Sequence, residues 1–232
     1  MPMEFFSAKK SAISTDLIAQ WFQDALIDGE IETDEDETGL WTQIALYTED
    51  GDPVVEIDKL ARGDAAFDDY IADVVRRLLD DKEPVKPHSA VKWLCNFMTK
   101  VQTVYVLRPQ QSLYDEPGWE IFNEFWTNLK DLEPGIVHCQ GEGFTNEQGA
   151  QITWEFPAGA SGDWKMALFD SHKNSWIEFS MDLANQEQRS LFLAGTLPFS
   201  ESANPSDSTS QRNDVASNRE TESQDSGLKR IK

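Results

Sequence analysis

The sequence predicts a mixed α+β fold, and two observations support this. Helical spacing of apolar side chains recurs in five segments, and between them lie short segments in which apolar and polar side chains alternate. Four of these candidate strands follow one another over residues 136–183 with no helical pattern between them. Consecutive strands without crossover helices pair antiparallel. We therefore expect an antiparallel meander over 136–183, flanked by amphipathic helices.

The predicted helices begin and end at recognisable residues. The first follows Ser14, whose hydroxyl can cap it, and it places Leu17 and Trp21 on one stripe before Gly29. Pro117 opens the fourth helix, because proline suits the first helical turn. The predicted ranges are 14–28, 64–80, 89–98, 117–133 and 185–194.

The predicted strands are short and bounded by turn residues. The clearest one alternates Ile177, Phe179, Met181 and Leu183 with polar side chains, which is typical of a strand with one buried face. The predicted ranges are 41–48, 54–57, 103–107, 136–140, 151–156, 164–169 and 176–183.

Composition divides the chain into three parts. We interpret residues 1–13 as an N-terminal extension and 14–199 as the globular region, whose first part is a smaller helix-strand-strand-helix unit. The globular region is either one body or two subunits, 14–81 and 88–199. From Ser200 onward the chain is rich in small polar residues and has no aromatic side chain, so 200–232 is predicted to be a disordered polar tail.

Acidic residues are concentrated near the N-terminus. Between Ser11 and Asp58 the chain has 14 Asp or Glu and no Lys or Arg, which is more than half of the net charge of −22. Such a cluster opposes its own compaction and attracts basic surfaces over about 8 Å, the Debye length at physiological salt. Direct nucleic-acid binding is not expected, because phosphate recognition needs Lys and Arg.

This charge distribution predicts a basic or cationic protein partner. The residues expected to contact it are acidic and lie in two neighbouring segments. They are Asp28, Glu30, Glu32, Asp34, Glu35, Asp36, Glu37, Asp50 and Asp52. The predicted function is a non-enzymatic protein-interaction module of the adaptor, chaperone or immunity-protein kind. A homodimer is a further assembly that the sequence leaves open.

Two alternative functions stay open at this level. Acidic side chains spaced along the chain could imitate nucleic-acid phosphates and inhibit a DNA-binding protein. An enzyme would use His138 or His172, since the chain has only three histidines. Cys139, His172 and Asp170 could act as nucleophile, base and orienting group if the fold brought them together.

No cofactor and no metal site is predicted. The segment 34–39 begins like a calcium-binding EF-hand loop, but Ala45 occupies the position of the closing Glu. Two cysteines without metal-ligand spacing argue against a zinc site and a disulfide scaffold. The apolar runs are too short to span a membrane and the first residues lack the features of a signal peptide, so we predict a cytoplasmic protein without membrane contact.

Overall fold

A seven-stranded antiparallel sheet forms the centre of the protein, in a computed structural model that describes residues 2–35, 40–82 and 84–198. Its strands are β1 (Met3–Ser7), β2 (Gly29–Glu35), β3 (Trp41–Thr48), β4 (Pro53–Ala61), β5 (Thr103–Pro109), β6 (Gly135–Cys139) and β7 (Gly143–Thr145). Their order across the sheet is β2-β3-β4-β5-β1-β6-β7. β8 (Asp163–Asp170) and β9 (Ser175–Asp182) form a separate antiparallel pair. The predicted tail, 200–232, lies outside the described residues.

Within the described ranges, five helices flank the sheets, as the sequence predicts. They are α1 (Thr15–Ala25), α2 (Ala65–Leu78), α3 (His88–Met98), α4 (Glu116–Leu132) and α5 (Gln186–Leu193). The Ser14 side chain caps α1 by accepting a hydrogen bond from the Leu17 amide. The mixed α+β class is thus confirmed. Each of these helices falls short of the length and hydrophobicity needed to cross a bilayer.

The large sheet separates two hydrophobic cores. Helices α1 and α4 pack on one face, where Phe5 and Phe125 are buried. Helices α2 and α3 pack on the other face, where Phe6 and Leu94 are buried. Phe5 and Phe6 are adjacent in β1 and therefore point to opposite faces, so this strand contributes to both cores. A further cluster around Met166 and Phe192 joins β8, β9 and α5.

The position of β1 departs from the predicted organisation. The composition predicts an extension over residues 1–13, whereas Met3–Ser7 lies inside the sheet and pairs with β5 on one side and β6 on the other. An inner strand buries both of its faces, so β1 has an apolar ring on each face, Phe5 and Phe6, and lacks the alternation of a strand with one buried face. β4 pairs with β5, so the segments 14–81 and 88–199 share this sheet.

The predicted meander over 136–183 is divided between the two sheets. β6 and β7 belong to the large sheet, and β8 and β9 form the small one. Residues 151–156 are not a continuous strand, because only Gln151 forms bridges there, to Thr145 and to Met166. The N-terminal unit gains a strand that the sequence analysis did not predict, β2, which is rich in acidic residues of low strand propensity.

Candidate functional site

β2 carries the acidic segment along the edge of the large sheet. Because side chains alternate along a strand, Glu30, Glu32 and Asp34 project from one face and Ile31 and Thr33 from the other. The three carboxylates are exposed, whereas Ile31 packs against the core beneath α1 and α4. The acidic run therefore folds as a strand with one face in solvent.

The same face continues over β3 and β4. In the register of these strands, Glu56 lies in the row of Glu32, and Asp58 lies in the row of Asp34. We call these carboxylates the acidic face: Glu30, Glu32, Asp34, Glu56 and Asp58. Glu32, Asp34 and Glu56 line a shallow groove of about 420 Å³.

The acidic face has little countercharge. Among the described residues, Arg108 pairs with Asp58, and no Lys or Arg forms an ion pair with Glu30, Glu32 or Asp34. The Tyr47 hydroxyl donates a hydrogen bond to Glu32 Oε2 at 2.8 Å, and this bond raises the pKa of Tyr47. The negative charge of these side chains is therefore presented to solvent.

An acidic cavity of about 350 Å³ lies at the N-terminal end of β2. Acidic side chains from three parts of the chain line it: Asp28, Glu49, Asp50, Asp52, Asp115 and Glu120. No Lys or Arg of the described residues lines this cavity. The structure thus brings the predicted residues Asp28, Asp50 and Asp52 together. Asp115 and Glu120 were not predicted to lie here, because they belong to the start of the distant helix α4.

Part of the predicted acidic segment is not described. Glu35 ends β2, but its side chain lies outside the described structure, as do the residues Asp36 and Glu37 and most of the loop over 34–39. In the part of the chain that is described, no three His, Cys, Asp or Glu side chains converge as metal ligands.

His138 lies in a second polar site on the same sheet. Its Nδ1 lies 2.8 Å from Glu4 Oε2, and its Nε2 lies 3.2 Å from both carboxylate oxygens of Glu155. The Tyr70 hydroxyl donates a hydrogen bond to Glu4, and Arg77 Nη2 lies 3.8 Å from the same carboxylate. We call these five residues the histidine cluster. It borders a cavity of about 490 Å³.

The pKa values of the histidine cluster favour its charged state. Burial opposes the charge of His138, but the hydrogen bonds and charges of Glu155 and Glu4 outweigh it and raise the pKa of the imidazole to about 9. Burial likewise opposes the charge of Glu4, whose pKa is nevertheless lowered by its bonds to His138 and Tyr70 and by the charge of Arg77. His138 is therefore an imidazolium at neutral pH.

This protonation state limits what His138 can do chemically. An imidazolium donates from both ring nitrogens, and here both face carboxylates. At neutral pH the ring has no free lone pair with which to accept a proton, as a general base must. The arrangement instead links β1, β6 and Glu155 by charge-assisted hydrogen bonds.

The other residues of the enzyme alternative have simpler local roles. His172 lies in the turn between β8 and β9, where Asp170 Oδ1 accepts hydrogen bonds from the backbone amides of His172 and Lys173 at 2.9 and 3.2 Å. Burial and the charge of Glu142 raise the pKa of the Cys139 thiol to about 11. A thiol with a raised pKa is a weak nucleophile at neutral pH.

The partners of His138 are distant in the sequence and were not predicted. β1 has the sequence MEFFS, in which Glu4 is the one charged residue. β6 has the sequence GIVHC, in which His138 is the one titratable residue besides the cysteine. A lone buried polar group needs a hydrogen-bond partner, so this pattern could have linked the two residues. Glu4 could be linked to His138 only if residues 3–7 were recognised as a strand, and the segment is too short for its pattern to show this.

The chain has no recognised relative to indicate its function. No protein-family model, curated protein or solved structure matches this chain. Function therefore has to be argued from the geometry and charge of the sites themselves.

Proposed function

We propose that this protein is a non-enzymatic interaction module that binds a basic protein through its acidic face, in the manner of an adaptor, chaperone or immunity protein. The observation that carries the proposal is the position of Glu30, Glu32 and Asp34. They project into solvent from one face of an end strand, with no described Lys or Arg paired to them. The acidic cavity extends the negative surface beyond the N-terminal end of β2.

Charges at this spacing favour a cationic partner. Neighbouring carboxylates on one face of a strand are about 6.8 Å apart, since each residue rises about 3.4 Å. This separation is shorter than the Debye length of about 8 Å, so the carboxylates repel one another in the free protein. Lys and Arg of a partner relieve that repulsion, and complementary charge raises association rate constants by about 10- to 1000-fold.

The nucleic-acid-mimic alternative is a special case of this proposal. A DNA-binding protein presents a basic surface, which the acidic face would complement. In that case the partner would bind either duplex DNA or this protein, and a ternary complex would not form. The test is a titration of duplex DNA into the purified complex.

The proposal is tested by recovering partners from native lysate with the tagged full-length protein. The binding variant combines Glu30→Gln, Glu32→Gln and Asp34→Asn. The matched control combines Asp68→Asn, Asp69→Asn and Asp81→Asn, which removes the same charge from exposed positions in and after α2. The retained proteins are quantified by mass spectrometry at low and high salt.

We expect a basic protein that binds the wild type and the control alike and is depleted at least tenfold by the binding variant and by high salt. The depletion follows from losing the acidic face while the net charge stays equal to that of the control. Equal recovery with both variants would show that the acidic face is not the binding surface.

A further inference from the structure

β2 leaves one edge of the large sheet open. Within the described part of the chain it is an end strand, and β3 is its one neighbour in the sheet. Among the described residues, none outside β3 bonds to the main chain of residues 29–34. At the opposite end of the sheet, Gln151 bridges Thr145 and Met166 and so continues the pairing towards β8. An open strand edge is a template on which another extended segment can pair.

The charge on β2 argues against a second copy of this chain as the occupant. In a symmetric dimer, β2 of one copy would pair antiparallel with β2 of the other, and the acidic faces of both copies would lie on the same side of the joined sheet. Glu30, Glu32 and Asp34 of both copies would then lie on a single face, with opposed Cβ atoms about 5 Å apart. Like charges directly opposite each other destabilise strand pairing. A basic segment would remove the repulsion instead of doubling it.

We infer that β2 accepts an extended segment of the basic partner as an added strand. The inference rests on the proposed function, because it specifies how the same partner binds. Alternate residues of the segment are Lys or Arg and lie beside Glu30, Glu32 and Asp34. The residues between them are β-branched or apolar and lie beside Ile31 and Thr33. The seven residues of β2 span about 24 Å, so a segment of similar length pairs with the whole edge.

The probe is a synthetic peptide in which Lys and Thr alternate, long enough to pair with all of β2. Two modified forms carry N-methyl groups, one on every Lys amide and the other on every Thr amide. In an added strand, the amides of one alternating set point towards β2 and those of the other set point to solvent. All three peptides have the same charge, so they differ only in which backbone donors are blocked.

Binding to the full-length protein is measured by fluorescence anisotropy. We expect one methylated form to lose at least tenfold in affinity and the other to stay within twofold of the unmodified peptide. Equal affinity of the two methylated forms would overturn strand addition, because charge recognition alone does not distinguish the two sets of amides.

The variant with Glu30→Gln, Glu32→Gln and Asp34→Asn separates this inference from the proposed function. If it weakens binding of the unmodified peptide while both methylated forms bind the wild type alike, the acidic face binds basic segments but not as a strand. If the variant binds the peptide as tightly as the wild type, both the inference and the proposed function fail.

The basic C-terminal end of this chain is the competing occupant. Replacing Lys229, Arg230 and Lys232 by Gln in the full-length protein removes its charge. We expect the affinity for the peptide to change by less than twofold. A tenfold rise would overturn the inference, because it would mean that the chain's own end occupies β2.

Discussion

At the residue scale, the histidine cluster shows how this fold holds a charge in a largely buried position. The His138 side chain is only 7% exposed, yet each of its ring nitrogens faces a carboxylate. The imidazolium and the carboxylates stabilise one another, because removing either partner leaves an uncompensated buried charge. Glu4 is the central member, since His138, Tyr70 and Arg77 all approach it.

The raised pKa of His138 predicts a loss of stability in mildly alkaline solution. The pKa is about 9 in the folded protein against 6.5 ordinarily. Protonation therefore stabilises the native state fully below pH 6.5, and this contribution is lost as the pH rises through about 9. We expect roughly 3 kcal/mol of unfolding free energy to disappear over this range, since each unit of pKa shift corresponds to about 1.4 kcal/mol. Urea denaturation at a series of pH values measures it.

Two histidine variants serve as tests of this assignment. His138→Gln removes the titrating group, so the unfolding free energy of this variant should vary little between pH 6.5 and about 9. His172 lies on the exposed turn between β8 and β9, so His172→Gln should leave the pH dependence of the unfolding free energy as in the wild type. The assignment would be wrong if His138→Gln retained the slope of the wild type.

At the element scale, a helix or strand could be predicted from the sequence when its own pattern of apolar and polar residues determines the structure. The five helices of the described ranges each have an apolar stripe on one side, and each was predicted. β1 was missed because its adjacent rings, Phe5 and Phe6, lie on opposite faces, so no alternation of apolar and polar residues marks this short strand. β2 was missed because its acidic residues disfavour a strand, and pairing with β3 and packing of Ile31 override that preference.

The candidate site could be predicted from the sequence only in part. The excess of acidic charge is visible without any knowledge of the fold, so Glu30, Glu32 and Asp34 were identified. Their common face was not, because it depends on the unpredicted strand β2. The histidine cluster joins residues more than 130 positions apart, and only strand pairing brings Glu4 beside His138.

The exposure of β2 predicts that its acids do not stabilise the fold. Glu30→Gln, Glu32→Gln and Asp34→Asn together break no described ion pair and relieve mutual repulsion. We expect the melting temperature to stay constant or rise by about 2–4 °C, corresponding to up to about 1 kcal/mol for a chain of this size. Calorimetry at low and high salt measures the melting temperature. High salt should reduce the rise, because it already screens the repulsion between the carboxylates of the wild type.

Asp58→Asn provides the contrast, because Asp58 pairs with Arg108. This variant should lower the melting temperature slightly, since it removes the attractive partner and leaves Arg108 unpaired. A fall of several degrees in the β2 variant would contradict the prediction and would assign those carboxylates a structural role.

At the scale of the whole molecule, β1 connects the two cores of the large sheet. Phe5 is 1% exposed in the core beneath α1 and α4, and Phe6 is fully buried in the core beneath α2 and α3. Removing either ring leaves a large cavity, so Phe5→Ala and Phe6→Ala should each cost about 3–5 kcal/mol.

Because both cores share one strand, we expect each variant to lower the midpoint of a single cooperative transition. Denaturant unfolding followed by tryptophan fluorescence and by circular dichroism measures this, and the two signals should coincide. Separate transitions, with one core unfolding before the other, would contradict the prediction.

The central position of β1 also has a consequence for synthesis on the ribosome. Its neighbours in the sheet are β5 and β6, which lie about 100 and 130 residues later in the chain. At about 5–20 residues per second, translation needs on the order of ten seconds to supply both neighbours. During that time the two phenylalanines of β1 lack their native neighbours in the sheet, so an apolar segment of the nascent chain stays unpaired. Synonymous codons that slow translation between β1 and β6 would lengthen this exposure and lower the yield of folded protein.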